Sequence, residues 1–113
     1  KELWLIDHGA ALYFHHAWND PAAQALKPFP LIKDHVLLPY AAQLAAVNEE
    51  LSALGTPALV NEIISRIPNE FLQWEEGIAP EAIKKGYSDF INSRAANANQ
   101  FITEANNARA TLI

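Results

Sequence analysis

The stretch LIKDHVLLPYAAQLAAVNEELSALG, Leu31 to Gly55, decides the fold class. Leu44, Val47, Leu51 and Leu54 recur at three, four and three residues, which lines one face of a helix and fits no strand. Pro39 interrupts the stretch, so the strong helix is expected from about Tyr40 to Leu54, closed by Gly55. Asp34 reads as the cap of a preceding helical turn.

On the C-terminal side the same period continues. Thr56-Pro57 pairs a capping hydroxyl with a proline at the first helical position. Leu59, Val60, Ile63, Ile64 and Ile67 then form an apolar stripe that Pro68 ends. IPNEFLQW, residues 67–74, reads as one further turn anchored by Phe71, Leu72 and Trp74. Ala79-Pro80-Glu81 opens the last helical stretch, with Ile83, Tyr87, Phe90 and Ile91 on one side. Ala98, Phe101, Ile102, Ala105 and Leu112 line its continuation. The Asn-rich piece from Ala95 to Gln100 is a candidate break, because Asn side chains compete for backbone hydrogen bonds.

On the N-terminal side, Asp20-Pro21 repeats the cap-and-proline signature, and Pro28 and Pro30 keep that helix short. Before it, Leu3 to Ile6 is an apolar run suited to a buried strand. Ala10 to Phe14 is either a second short strand or one helical turn. The expected fold is therefore mainly α: a helical bundle of about five helices with a short N-terminal β-strand or hairpin. It forms one domain over residues 1–113, with a strand and turn region at 1–19 and helices at 20–113.

Composition bounds the function. At 113 residues, half of them hydrophobic, the chain can build one core. Net charge is -5 and no Lys/Arg cluster exists, which argues against nucleic acid and anionic membrane as partners. No run approaches the ~20 apolar residues of a membrane span. The absence of cysteine excludes disulfides and thiolate metal sites and fits a reducing, cytoplasmic setting. The chain starts at Lys1 and holds no methionine, so it reads as a fragment, a processed form or an excised domain.

The chemistry-bearing motif is Asp7-His8-Gly9, which follows the apolar run. Ordinary turn chemistry accounts for these three residues by themselves. A second reading comes from phosphoryl transfer, where a strand delivers a magnesium-binding Asp and a Gly two positions on lets the backbone turn. The four histidines offer a weaker site. His15-His16 with Asp7 or Asp20 has metal-compatible donors, but no His-x-x-x-His or His-Glu-x-x-His spacing occurs. Adjacent histidines on extended backbone point opposite ways, so only one can join a shared site. For Asp34-His35, a cap and a histidine bonded to a neighbouring carbonyl is the structural reading; a place near phosphates is the functional one.

Three strings together carry a resemblance: LWLIDHGAALYFHHAW from Leu3, PFPLIKDHVLLPYA from Pro28 and YSDFINSRAA from Tyr87. They resemble the C-terminal part of the HipA-like kinase family of bacteria, and phosphoinositide-type lipid kinases have a related strand piece. The resemblance implies a kinase-like C-lobe. In it, Asp7 holds Mg²⁺ bridging the β- and γ-phosphates of ATP, Gly9 permits the turn, and His8 stands where such motifs usually place Phe. It implies a parent that phosphorylates a protein or small-molecule hydroxyl. The phosphate-covering loop, the strand Lys, the base Asp and the metal-binding Asn of that chemistry are not in this chain. The chain alone is therefore not expected to transfer phosphate, and its first partner is the missing N-terminal kinase half. Apolar surface left by that half can drive homodimerisation. The alternative is a non-catalytic helical protein-interaction module, supported by the stripes at Leu59 to Ile67 and Phe90 to Ile102.

Overall fold

The computed structural model describes residues 2, 4, 11–12, 19–74 and 76–112. Among the described residues five α-helices follow in order: α1 Pro21–Ala25, α2 Leu44–Leu54, α3 Pro57–Ser65, α4 Pro80–Ala96 and α5 Ala98–Ala110. Three 3₁₀ turns, Pro30–Asp34, Leu38–Tyr40 and Asn69–Leu72, join them. The protein is mainly α, and no strand occurs among the described residues. The strand expected at Leu3 to Ile6 lies largely outside them, as do Asp7 and Gly9.

Helices α4 and α5 form the axis. α1, α3 and the Asn69–Leu72 turn pack on α4, while α2 and the two turns within 30–40 pack on α5. The result is elongated, 49 × 29 × 26 Å. Its radius of gyration is 15.9 Å, against about 13 Å for a compact domain of this length.

The core sits at the α4 end. Ile83, Tyr87 and Phe90 recur at the helical period and meet Ala25 of α1, Ile64 of α3 and Leu72. Val60, Ile67, Ile78, Ile91 and Leu12 close over this cluster. Fully burying a side chain the size of Phe90 or Ile83 contributes about 1.5–3 kcal/mol. Among the described residues around α5, only Leu38 and Ala105 are buried.

Local chemistry sets the ends. Oδ1 of Asp20 accepts from the Ala23 N–H at 3.1 Å, and Oγ1 of Thr56 accepts from the Leu59 N–H at 3.3 Å, as both cap-and-proline signatures require. Asp20 does this from a left-handed backbone, φ 30°, which Asp tolerates better than most residues. The axis breaks at Asn97, within the Asn-rich piece. Its Nδ2 donates to the Ser93 carbonyl at 2.8 Å, which offers the backbone an alternative to continued helix.

Two expectations are corrected, and Gly55 closes α2 as expected. α2 starts at Leu44 instead of Tyr40, because Leu38–Tyr40 forms a 3₁₀ turn around Pro39 and Gln43 provides no side-chain cap. Asp34 ends the Pro30–Asp34 turn and begins no helix. Gly55 is the C-cap of α2, and its φ is not left-handed. Its φ is -81°, its N–H donates to the Leu51 carbonyl at 2.7 Å, and an added Cβ would stand 3.0 Å from that oxygen.

Candidate functional site

The region from Leu26 to Tyr40 is held on α5 by side chains. It contains Pro28, Pro30 and Pro39, which have no N–H to donate; the carbonyls of Phe29, Ile32, His35, Leu37 and Leu38 are paired by local backbone N–H groups, while two others are met from α5. Nε2 of Gln100 donates to the Leu26 carbonyl at 3.2 Å, and Nε of Arg109 donates to the Pro39 carbonyl at 3.2 Å. Glu104 accepts from the Phe29 N–H at 3.1 Å. So fixed, the segment turns Leu31, Val36, Leu37 and Tyr40 outward; Tyr40 is 82% exposed.

Helix α2 continues this apolar surface. Its stripe has the geometry that its spacing dictates, but little covers it. Leu44 is half-buried, while Val47 is 45%, Leu51 61% and Leu54 70% exposed. On α3, Ile64 enters the core but Leu59 and Ile63 stay exposed. Two hollows flank α2. One, of about 410 Å³, runs from Tyr40 to Leu44 and Val47. The other, of about 380 Å³, lies between Leu51 and Gly55 on one side and Val60, Ile91, Phe101 and Ile102 on the other.

Arg94 forms part of the second hollow's wall. Its guanidinium lies 4.0 Å from the centre of the Phe101 ring and 5.7 Å from that of Phe90. Nη1 donates to the Ala25 carbonyl, the last of α1, at 3.2 Å. The charge is thus directed at ring faces and a helix C-terminus, both of which favour a cation.

Paired amides tie the helices together. Asn48 donates to Asn99 at 3.3 Å between α2 and α5, and Asn92 donates to Asn61 at 3.4 Å between α4 and α3. The Asn-rich segment therefore serves contacts within the chain.

The other sequence candidates fall as follows. Asp7, His8, Gly9, His15 and His16 lie outside the described residues. His35 is exposed, and its Nδ1 accepts from the Leu37 N–H at 3.2 Å, where a bond to a carbonyl was expected. Glu49 and Glu50 are both exposed. Among the described residues no three His, Cys, Asp or Glu side chains gather closely enough to hold a metal. Tyr87 is the one described group with a clear titration shift: burial pushes its phenol above the usual value of 10.0. The holding roles of Gln100, Glu104 and Arg109 escaped the sequence reading. So did Arg94, for which the Phe90–Arg94 spacing of four on one helix was the available signal.

No protein-family model matches the chain, and no curated protein and no solved structure is significantly similar to it.

Proposed function

We propose that the chain is the helical scaffold of a HipA-like kinase, contributing one magnesium-holding carboxylate, Asp7, to ATP-dependent phosphoryl transfer. The observation that carries this reading is the co-occurrence of three strings in one chain. The apolar run ending in Asp7-His8-Gly9 supplies the carboxylate and the turn. The 28–41 string is the segment pinned on α5, and the 87–96 string is the part of α4 that holds Tyr87, Phe90 and Arg94. On this reading Asp7 would hold Mg²⁺, which would supply charge neutralisation for phosphoryl transfer, and the helices would shape the acceptor side. The phosphate-covering loop, lysine and base come from the other half of the kinase. The test is Mg-ATP turnover by the native protein: Asp7→Ala abolishes it and leaves folding intact.

A second reading, a non-catalytic interaction module, is favoured by a separate observation: the open stripe of Val47, Leu51 and Leu54. Its test is assembly. Val47→Asn with Leu54→Asn in the native protein releases a bound macromolecule on size-exclusion chromatography without altering the melting midpoint.

A further inference from the structure

The segment from Leu26 to Tyr40 lies along α5 and is gripped by its backbone. Gln100 donates to the Leu26 carbonyl, Glu104 accepts from the Phe29 N–H and Arg109 donates to the Pro39 carbonyl, so the order along α5 follows the order along the segment. The segment's own side chains contribute little. Leu38 is its one buried residue, while Phe29, Leu31, Val36, Leu37 and Tyr40 are exposed. The main core lies where α4 meets α1, α3 and Leu72, and no residue of 26–40 belongs to that cluster. Gln100 to Arg109 is about 13 Å of helix, whereas a chain from Leu26 to Pro39 reaches about 40 Å when extended. The turns of the segment can therefore open without pulling on α1 or α2.

We propose that residues 26–40 form a detachable strap, which leaves α5 as one unit while the α4 core stays folded. Closed, the strap covers the α5 face that carries Gln100, Glu104, Ala105 and Arg109; open, it presents that face to solvent. Two physical arguments carry this. Cooperative stability follows buried apolar area, and the strap shares none of the α4 cluster. Its latches are polar contacts, two exposed and one part-buried, so water replaces them at small cost. The closed strap is thus favoured over the open one by a smaller margin than the folded core over the unfolded chain. Neither nucleotide nor partner enters the argument, so the strap stands or falls apart from either functional reading.

The test is hydrogen exchange of the native protein over a range of low urea concentrations, read by mass spectrometry in peptides covering 26–41 and 80–96. The strap amides that report opening are those of Ile32, His35, Leu38 and Tyr40, which are bonded within the segment. Exchange in 26–41 should be at least about tenfold faster than in 80–96 and nearly independent of urea, because opening the strap exposes little surface. Glu104→Ala and Arg109→Ala should each speed exchange in 26–41 by about tenfold or more and leave 80–96 unchanged. Glu104→Gln keeps an acceptor oxygen and should stay nearer the parent than Glu104→Ala. Val36→Ala and Tyr40→Ala remove side chains that are 81% and 82% exposed and should leave exchange at the parent rate. Exchange in 26–41 with the rate and urea slope of 80–96 overturns the proposal, since the strap then opens only with the whole fold. Exchange in the parent at the rate of an unstructured chain also overturns it, since nothing is then latched. Equal acceleration of both peptides by the two α5 variants overturns it too, because the contacts then serve the whole fold. Where a variant fails to fold, the parent's urea slope decides alone.

Discussion

The guanidinium of Arg94 lies over the ring of Phe101 at 4.0 Å, from one helix of the axis to the next, with the break at Asn97 between them. The same side chain holds the end of α1 through the Ala25 carbonyl. Arg94 therefore ties three helices at the point where the axis is interrupted. Arg94→Ala should cost about 1–3 kcal/mol in urea unfolding, from the lost ring contact and the stranded carbonyl. Arg94→Lys should recover only part of that, because an ammonium cannot stack flat and reach sideways at once.

Burial separates the two ends of the molecule. Phe90→Ala empties a site that is 2% exposed and should cost about 3–5 kcal/mol. Leu54→Ala removes a side chain that nothing covers and should stay within about 0.5 kcal/mol of the parent. Equal losses for the two in chemical unfolding would mean that the α2 stripe is buried in solution.

The caps differ in a measurable way. Thr56→Ala should cost about 1 kcal/mol, the usual value for a lost cap. At Asp20 the left-handed backbone adds a second effect. Asp20→Ala loses the cap and strains φ, whereas Asp20→Gly loses the cap but relaxes φ. Glycine should therefore be the less damaging replacement, which thermal melting of the two variants decides.

The buried phenol of Tyr87 sets a pH dependence at the alkaline end. Its folded pKa is raised above 10.0, so the folded state holds that proton more tightly than the unfolded chain does. The associated stability is fully present below the unfolded value, about pH 10, and is lost as pH rises through the raised folded value. Urea midpoints should fall in that window for the parent. The fall should be shallower for Tyr87→Phe.

Much of this helical order is legible in the residues. Asp20-Pro21 and Thr56-Pro57 mark starts because hydroxyl or carboxylate plus proline is local chemistry, complete within one turn. The Ile83, Tyr87, Phe90 period marks the core face of α4 for the same reason. Burial is a different matter. The period of Leu44, Val47, Leu51 and Leu54 says which side of α2 is apolar, and nothing in it says whether another element covers that side. The Leu26 to Tyr40 segment was harder still. It is held by Gln100, Glu104 and Arg109 through contacts to backbone groups about 70 residues away, which carry no sequence pattern. For the proposed cofactor site, sequence reasoning names Asp7 for Mg²⁺ and Asp7 with Gly9 for the nucleotide, and both residues lie outside the described residues.

Mg-ATP turnover by the native protein and its Asp7→Ala variant, measured beside thermal melting of both, tests the central claim most directly. The account predicts turnover by the parent, none by the variant, and melting midpoints that coincide in the absence of nucleotide. Normal turnover by the Asp7→Ala variant would contradict it and leave Asp7-His8-Gly9 as turn chemistry.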